Sequence, residues 1–310
     1  MKKALAVVFA LAVALTGCAC AKTPLPKSKG PVTVGSKIDT EGKLLGTMIA
    51  LVLENDGFRV VDKTQTGTTG IVRRALLEGE IDIYPEYTGS GLIFFMDQDP
   101  ALYKDAQQGY ETVKSLDLAR NGMVWLAPAK ANNTWAIAVK KDFADANRLE
   151  TMSDLARYIK AGKRTKLACS DEFLNNPDAM PAFKKTYGFS LRKDQTVVLS
   201  GGNTAQTEKA VADGTDGVNL GMAYGTDGAL SDLGLVVLTD DLEAQLVYWP
   251  TPVVRKATLD QYPEIETLLA PVFGSLTLQR LQELNARIQV KGEAAEAVAT
   301  DHLKKNGLLK

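Results

Sequence analysis

Histidine is almost absent from this chain: its 310 residues include one, His302, near the C-terminus. A multi-histidine zinc or iron centre cannot be built from that. A Ser/His or Cys/His nucleophilic pair would have to recruit its base from the tail. Cysteine is nearly as scarce. Cys18 and Cys20 stand close to the N-terminus, and only Cys169 lies in the body. Zinc fingers, iron–sulfur clusters and an internal disulfide framework are thereby excluded. Charge of one sign is lacking too, with 36 basic against 37 acidic residues, so there is no broad basic footprint for nucleic acid. The marked apolar run, from Ala4 to Leu15, is far shorter than the roughly 20 residues a membrane-spanning helix needs. What remains is an ordinary globular composition, 45% hydrophobic and 24% charged, long enough for one large domain or two.

Lys2 and Lys3 ahead of that apolar run make residues 1–17 a signal peptide. Its ending, Leu15-Thr16-Gly17-Cys18, resembles the lipobox of bacterial lipoproteins, which implies cleavage before Cys18 and a lipid on that cysteine. The alternative is a plain secretory signal cut near Cys20. Losing residues 1–17 removes two lysines and shifts the formal charge from −1 to −3. Residues 18–30, rich in Pro, Lys and Ser, read as a flexible tether. The expectation is an exported protein held on a membrane surface.

From residue 31 strand and helix patterns alternate. Val32–Gly35, Arg59–Val61 and Ile81–Tyr84 read as strands, with helices over 44–55 and from Thr69 to near Gly79. The pattern resumes at Trp135, with strands at 135–139, 166–170, 195–199, 218–224 and 235–238 and helices at 152–162, 178–187 and 204–213. The stretch 265–309 reads as helical throughout. This order predicts an α/β protein with mostly parallel sheets in two units facing a cleft. Ligands in such sheets bind at the carboxyl ends of the strands. That rule singles out Lys37, Tyr84, Tyr87, Trp135, Tyr224 and the pair Tyr248-Trp249.

The motifs around these residues carry a resemblance. Val34-Gly35-Ser36-Lys37, the run from Gly79 to Gly89, Asn133-Thr134-Trp135-Ala136, Glu172-Phe173-Leu174-Asn175, Tyr224-Gly225-Thr226-Asp227-Gly228 and Pro252-Val253-Val254-Arg255 occur in register. Together they resemble the substrate-binding proteins of glycine betaine/choline/carnitine ABC importers, from about residue 31 to the end. The resemblance implies a two-lobed periplasmic-binding-protein fold (type II) with the ligand in the inter-lobe cleft. It implies lobe 1 from 31–132 plus 240–310, and lobe 2 from 133–239. It implies a quaternary amine as ligand, an ABC permease with its ATPase as partners, no cofactor and no catalysis. A trimethylammonium head has no N–H to donate, and aromatic faces supply both the quadrupole and the apolar contact it needs. Carried over by position, the cage falls on Tyr87, Trp135, Tyr224 and Tyr248, with Trp135 where relatives have Tyr. The polar end of the ligand falls on Lys37, Ser90, Asn133 and Asn176, with Ser90 also placed to cap the next helix.

Two departures stand out. Asn133 replaces an Asp common in relatives, and Asn176 replaces an Arg that in some members reaches the ligand carboxylate. Losing a bidentate guanidinium weakens carboxylate binding. Choline, carnitine, ergothioneine or another small amine or amino acid therefore stay open beside a glycine betaine-like ligand. Asp171-Glu172, adjacent and pointing apart, offers an exported enzyme no convincing acid/base pair. Cys169 reads as a small buried hydrophobe, Tyr84 and Trp125 as core, and Gly201-Gly202-Asn203-Thr204 as a turn and cap.

Overall fold

A computed structural model describes residues 29–199 and 204–309. The signal peptide, Cys18, most of the tether and Gly201-Gly202-Asn203 lie outside the described residues. Among the described residues, ten strands form two five-stranded sheets: β1 Lys29–Lys37, β2 Phe58–Gly67, β3 Ile83–Tyr87, β4 Met123–Trp125, β5 Trp135–Lys140, β6 Leu167–Cys169, β7 Thr196–Val198, β8 Leu220–Tyr224, β9 Leu235–Val237 and β10 Pro250–Arg255. The first sheet runs β2-β1-β3-β10-β4 and the second β7-β6-β8-β5-β9. The two share one topology without a sequence repeat.

The sheets are mixed rather than mostly parallel. In each, three strands pair parallel, and the fourth runs antiparallel to both of its neighbours, so that the fifth again points with the first three. The antiparallel strand next to the parallel set is β5 in one sheet and β10 in the other. These are the strands on which the chain enters the second sheet and returns to the first. Periodicity reports burial and not direction, so it could not register this. β10 and β4 themselves escaped the sequence reading. Pro250 and Pro252 argue against a central strand, yet their carbonyls accept from Ala129 and Leu126 on the side away from β3. Their missing N–H groups fall beyond the end of β4, where no ladder asks for them.

Both faces of both sheets are covered. Helix Thr40–Asn55 begins at Asp39, whose carboxylate accepts from the Gly42 N–H. It buries Leu44, Leu45, Met48, Ile49 and Leu53 in one cluster with Val32, Val34, Leu269, Phe273, Leu281, Leu284, Val298 and Leu303. The C-terminal region thus completes the core under the first strands. It is three helices, Glu264–Gly274, Leu278–Gln289 and Ala295–Lys305, and not one continuous helical stretch. Thr277 starts the second of them by accepting from Arg280 N–H, and Gly292, at φ +69°, lies between the second and third. On the other face of that sheet, Tyr84 and Trp125 are fully buried. His302 is buried between helices, its ring nitrogen 2.9 Å from the Ser275 hydroxyl. Cys169 is buried in the second core, and burial pushes its thiol up to about 11, far from reactivity at neutral pH. Among the described residues no helix is long and apolar enough to cross a membrane.

Candidate functional site

A cavity of about 430 Å³ lies between the sheets, lined by residues of both. Tyr87 ends β3 and Lys37 ends β1. Tyr224 ends β8 and Trp135 begins β5. Because β5 runs antiparallel to β8, its first residue lies directly opposite the last residue of β8. Tyr248 stands just before β10, whose first residue pairs with Tyr87 by the same logic. The binding edge therefore collects residues that end parallel strands and residues that precede antiparallel ones.

All four aromatics line this one cavity, together with Lys37, Ser90 and Asn133. Tyr224 and Trp135 stack at 4.5 Å between centroids and 28° between planes. Phe173 tilts against the Trp135 ring at 5.3 Å. Tyr248 is fixed by its backbone, the N–H donating to Asn132 Oδ1 and the carbonyl accepting from Asn133 N–H. Its ring lies on Gly89, where a Cβ would stand 2.6 Å from the ring, so only glycine fits. Burial raises the pKa of all four rings that carry a hydroxyl nearby: Tyr248 to about 12, and Tyr84, Tyr87 and Tyr224 upward as well. They remain neutral hydrogen-bonding phenols at neutral pH.

The polar residues are organised by two buried carboxylates that sequence reasoning missed. Glu86 is fully buried. Its Oε1 accepts from Lys37 Nζ at 2.5 Å, Ser90 Oγ at 2.9 Å and Tyr87 N–H at 2.7 Å, and its Oε2 accepts from the Tyr84 hydroxyl at 3.0 Å. Lys37 also sits 4.7 Å over the Tyr87 ring. Ser90 makes no side-chain cap for the helix that follows, because its hydroxyl serves Glu86. Glu41, 5% exposed, is the second. Its Oε1 accepts from the Tyr87 hydroxyl at 2.8 Å and from Asn133 Nδ2 at 3.3 Å, and its Oε2 accepts from Asn285 Nδ2 at 2.7 Å. Burial raises Glu41 to about 6, partly offset by these hydrogen bonds.

Glu41 was hidden because an acidic residue in a helix's first turn needs no special explanation. Asn285 did leave a signal. It is a polar residue on the buried face of helix Leu278–Gln289, beside Leu281 and Leu284. Asn176 is not among the lining residues. It follows helix Asp171–Asn175, and its Oδ1 accepts from Asp178 N–H, a local turn.

The second sheet's loop is locked to the first sheet's helices. Gln282 Nε2 donates to the Gly225 carbonyl at 2.7 Å and Asn285 Nδ2 to the Thr226 carbonyl at 3.0 Å. Asp227 accepts from Tyr224 N–H and pairs with the buried Glu208 carboxyl. Burial and that neighbour raise Glu208 well above the ordinary carboxylate range, and a hydrogen bond between two carboxyl groups requires a proton on one of them.

The model of the OpuAC family, the substrate-binding domain of ABC-type glycine betaine transport systems, matches residues 30–305. The chain belongs to this family. It is 53% identical to the glycine betaine-binding protein YehZ of Escherichia coli, over 92% of this chain and 93% of that one. It is 34% identical to a glycine-betaine-binding protein of Pseudomonas aeruginosa, over 89% and 88% of the two chains. The solved structure of apo YehZ from Escherichia coli superposes with a TM-score of 0.85 at 54% identity, covering 90% of this chain and all of that one. The fold is therefore the two-lobed one that the sequence motifs implied, and the chain is the solute-binding component of an ABC importer.

Proposed function

We propose that the cavity holds a quaternary ammonium compound of the glycine betaine type, with Tyr87, Trp135, Tyr224 and Tyr248 around the cation. The supporting observation is the convergence of four aromatics from two sheets on one cavity. Each desolvated cation–π contact contributes on the order of 1–2 kcal/mol. Three or four of them support binding near the micromolar range, about −8 kcal/mol, after closure costs. Lys37 and Ser90 face the ligand's polar end, and Asn133 lies beside the cation. Asn176, outside the cavity wall in this state, would reach the ligand only through closure.

On this reading lobe 1 comprises 31–132 with 240–310, and lobe 2 comprises 133–239. The lobes close on the ligand by a hinge motion, and the closed form delivers it to a permease driven by its ATPase. The protein holds its ligand without transforming it. It works outside the cytoplasmic membrane, anchored by a lipid on Cys18.

Tryptophan fluorescence tests the site. Titration with glycine betaine gives a saturable change that Trp135→Phe abolishes, and Tyr224→Ala weakens binding tenfold or more, about 1.4 kcal/mol. No saturable response to glycine betaine, choline or carnitine would remove the ligand class. Normal binding by the Tyr224→Ala protein would remove the cage.

A further inference from the structure

Four carboxylates stand at or directly beneath the cavity wall, and three of them are accounted for. Asp39 is exposed and caps helix Thr40–Asn55. Glu86 is matched by Lys37. Asp227 shares a proton with Glu208. Glu41 is different: it is buried and lines the cavity, and among the described residues no Lys, Arg or His forms an ion pair with it. Its partners, Thr226, Tyr87, Asn133 and Asn285, are all neutral donors. Next to it Asn285, 2% exposed and also on the cavity wall, keeps its Oδ1 without a donor. A buried charge without a counter-ion is expensive. Here two negative poles, one full and one partial, line the cavity with no positive group paired to either, since Lys37, over the Tyr87 ring, is paired with Glu86.

We propose that Glu41 is a specificity-determining residue whose carboxylate is the counter-charge for the ligand cation, with Asn285 Oδ1 adding a carbonyl dipole. The inference rests on the reading of the cavity as a quaternary-ammonium site and adds what that reading leaves open. Aromatic faces alone accept an uncharged tert-butyl group as an apolar body. A carboxylate on the cavity wall, hydrogen-bonded to the hydroxyl of one of those rings, makes the net positive charge of the ligand count, because Coulomb attraction is strong where water is excluded. Asn133 fits this arrangement. Its amide donates to Glu41, whereas an aspartate there would set a second carboxylate against the first.

The test is calorimetric titration of the wild-type and Glu41→Gln proteins with glycine betaine, with choline and with 3,3-dimethylbutan-1-ol, the uncharged isostere of choline. The ammonium ligand that the wild type binds should bind Glu41→Gln tenfold or more weakly, while the isostere changes less than about twofold. In the wild type that ammonium affinity falls about tenfold between pH 7.5 and pH 5 as Glu41 gains its proton, and in Glu41→Gln it stays flat. Lys37, Asp39, Asp227 and the three cage tyrosines also face this space, and Glu41→Gln retains them all, so it isolates the carboxylate. Equal losses for ammonium and isostere, or unchanged ammonium affinity in Glu41→Gln, would overturn the inference and leave the functional reading standing. A wild type that binds neither ammonium would overturn both.

Discussion

At the scale of single residues, the balance of charge against burial sets the behaviour of the site. Glu41 has a raised pKa, about 6 against the ordinary 4.5, so between those values the native protein holds this proton more tightly than the unfolded chain does. Its contribution to stability is therefore fully present below about pH 4.5 and is lost as pH rises through 6. The loss is on the order of 2 kcal/mol. Urea unfolding of the ligand-free protein at pH 4.5, 6 and 7.5 should show this decline, and the same series on Glu41→Gln should lack it; parallel curves would assign the slope to other groups. If Glu41 is the counter-charge proposed above, a bound cation favours the ionised carboxylate and weakens this dependence. That these four aromatics line one cavity was legible because aromatics at strand termini carry a positional meaning. The two buried glutamates were not, because nothing in a sequence distinguishes a glutamate that faces solvent from one that accepts from four donors. Asn176 misled for the complementary reason: a residue type lost from a motif says nothing about what its replacement touches, which here is the next turn.

At the scale of elements, the loop after β8 is the most constrained piece of the site. A Cβ on Gly225 would stand 2.1 Å from the Asn132 carbonyl oxygen, and one on Gly228 would stand 2.2 Å from the Ala286 nitrogen. These contacts press the end of the second sheet against the crossing segment and helix Leu278–Gln289. Gly225→Ala should displace the loop and with it Tyr224, destabilising the protein by roughly 1–3 kcal/mol. Thermal unfolding reads that loss, and a fluorescence titration reads the weaker ligand binding that accompanies it. An unchanged melting temperature with unchanged affinity would show that the loop has room to move. The parallel βαβ units were readable from alternating periods, since each strand and helix buries one side in a regular rhythm. The strands that return antiparallel were harder. β10 holds two prolines and β4 has three residues, and each is defined by its neighbours rather than by its own pattern.

At the scale of the whole molecule, the sheets with their helices are two cores facing one cavity, and ligand binding between them should draw the lobes together. Small-angle scattering with and without saturating glycine betaine should show a smaller radius of gyration in the ligand-bound protein. An unchanged radius, with binding verified in the same sample, would mean that the ligand is accommodated without closure. The two-lobed arrangement was legible through the motif resemblance, and composition alone had allowed either one domain or two. The interlocking of the lobes through Gln282 and Asn285 was not, because these contacts join residues 57 and 59 positions apart.

The position of the C-terminal helices has a consequence for the order in which the protein acquires its structure. The second sheet draws every strand from one continuous stretch, β5 to β9, so its fold needs nothing from either end of the chain. The first sheet needs β10, and its core needs Leu281, Val298 and Leu303 beneath helix Thr40–Asn55. The residues made first must wait for those made last. The middle of the chain is thus free to fold early, while the N-terminal third stays open until synthesis is complete. Such an order leaves the start of the chain as its slowest-folding part, open to whatever must act on an unfolded polypeptide.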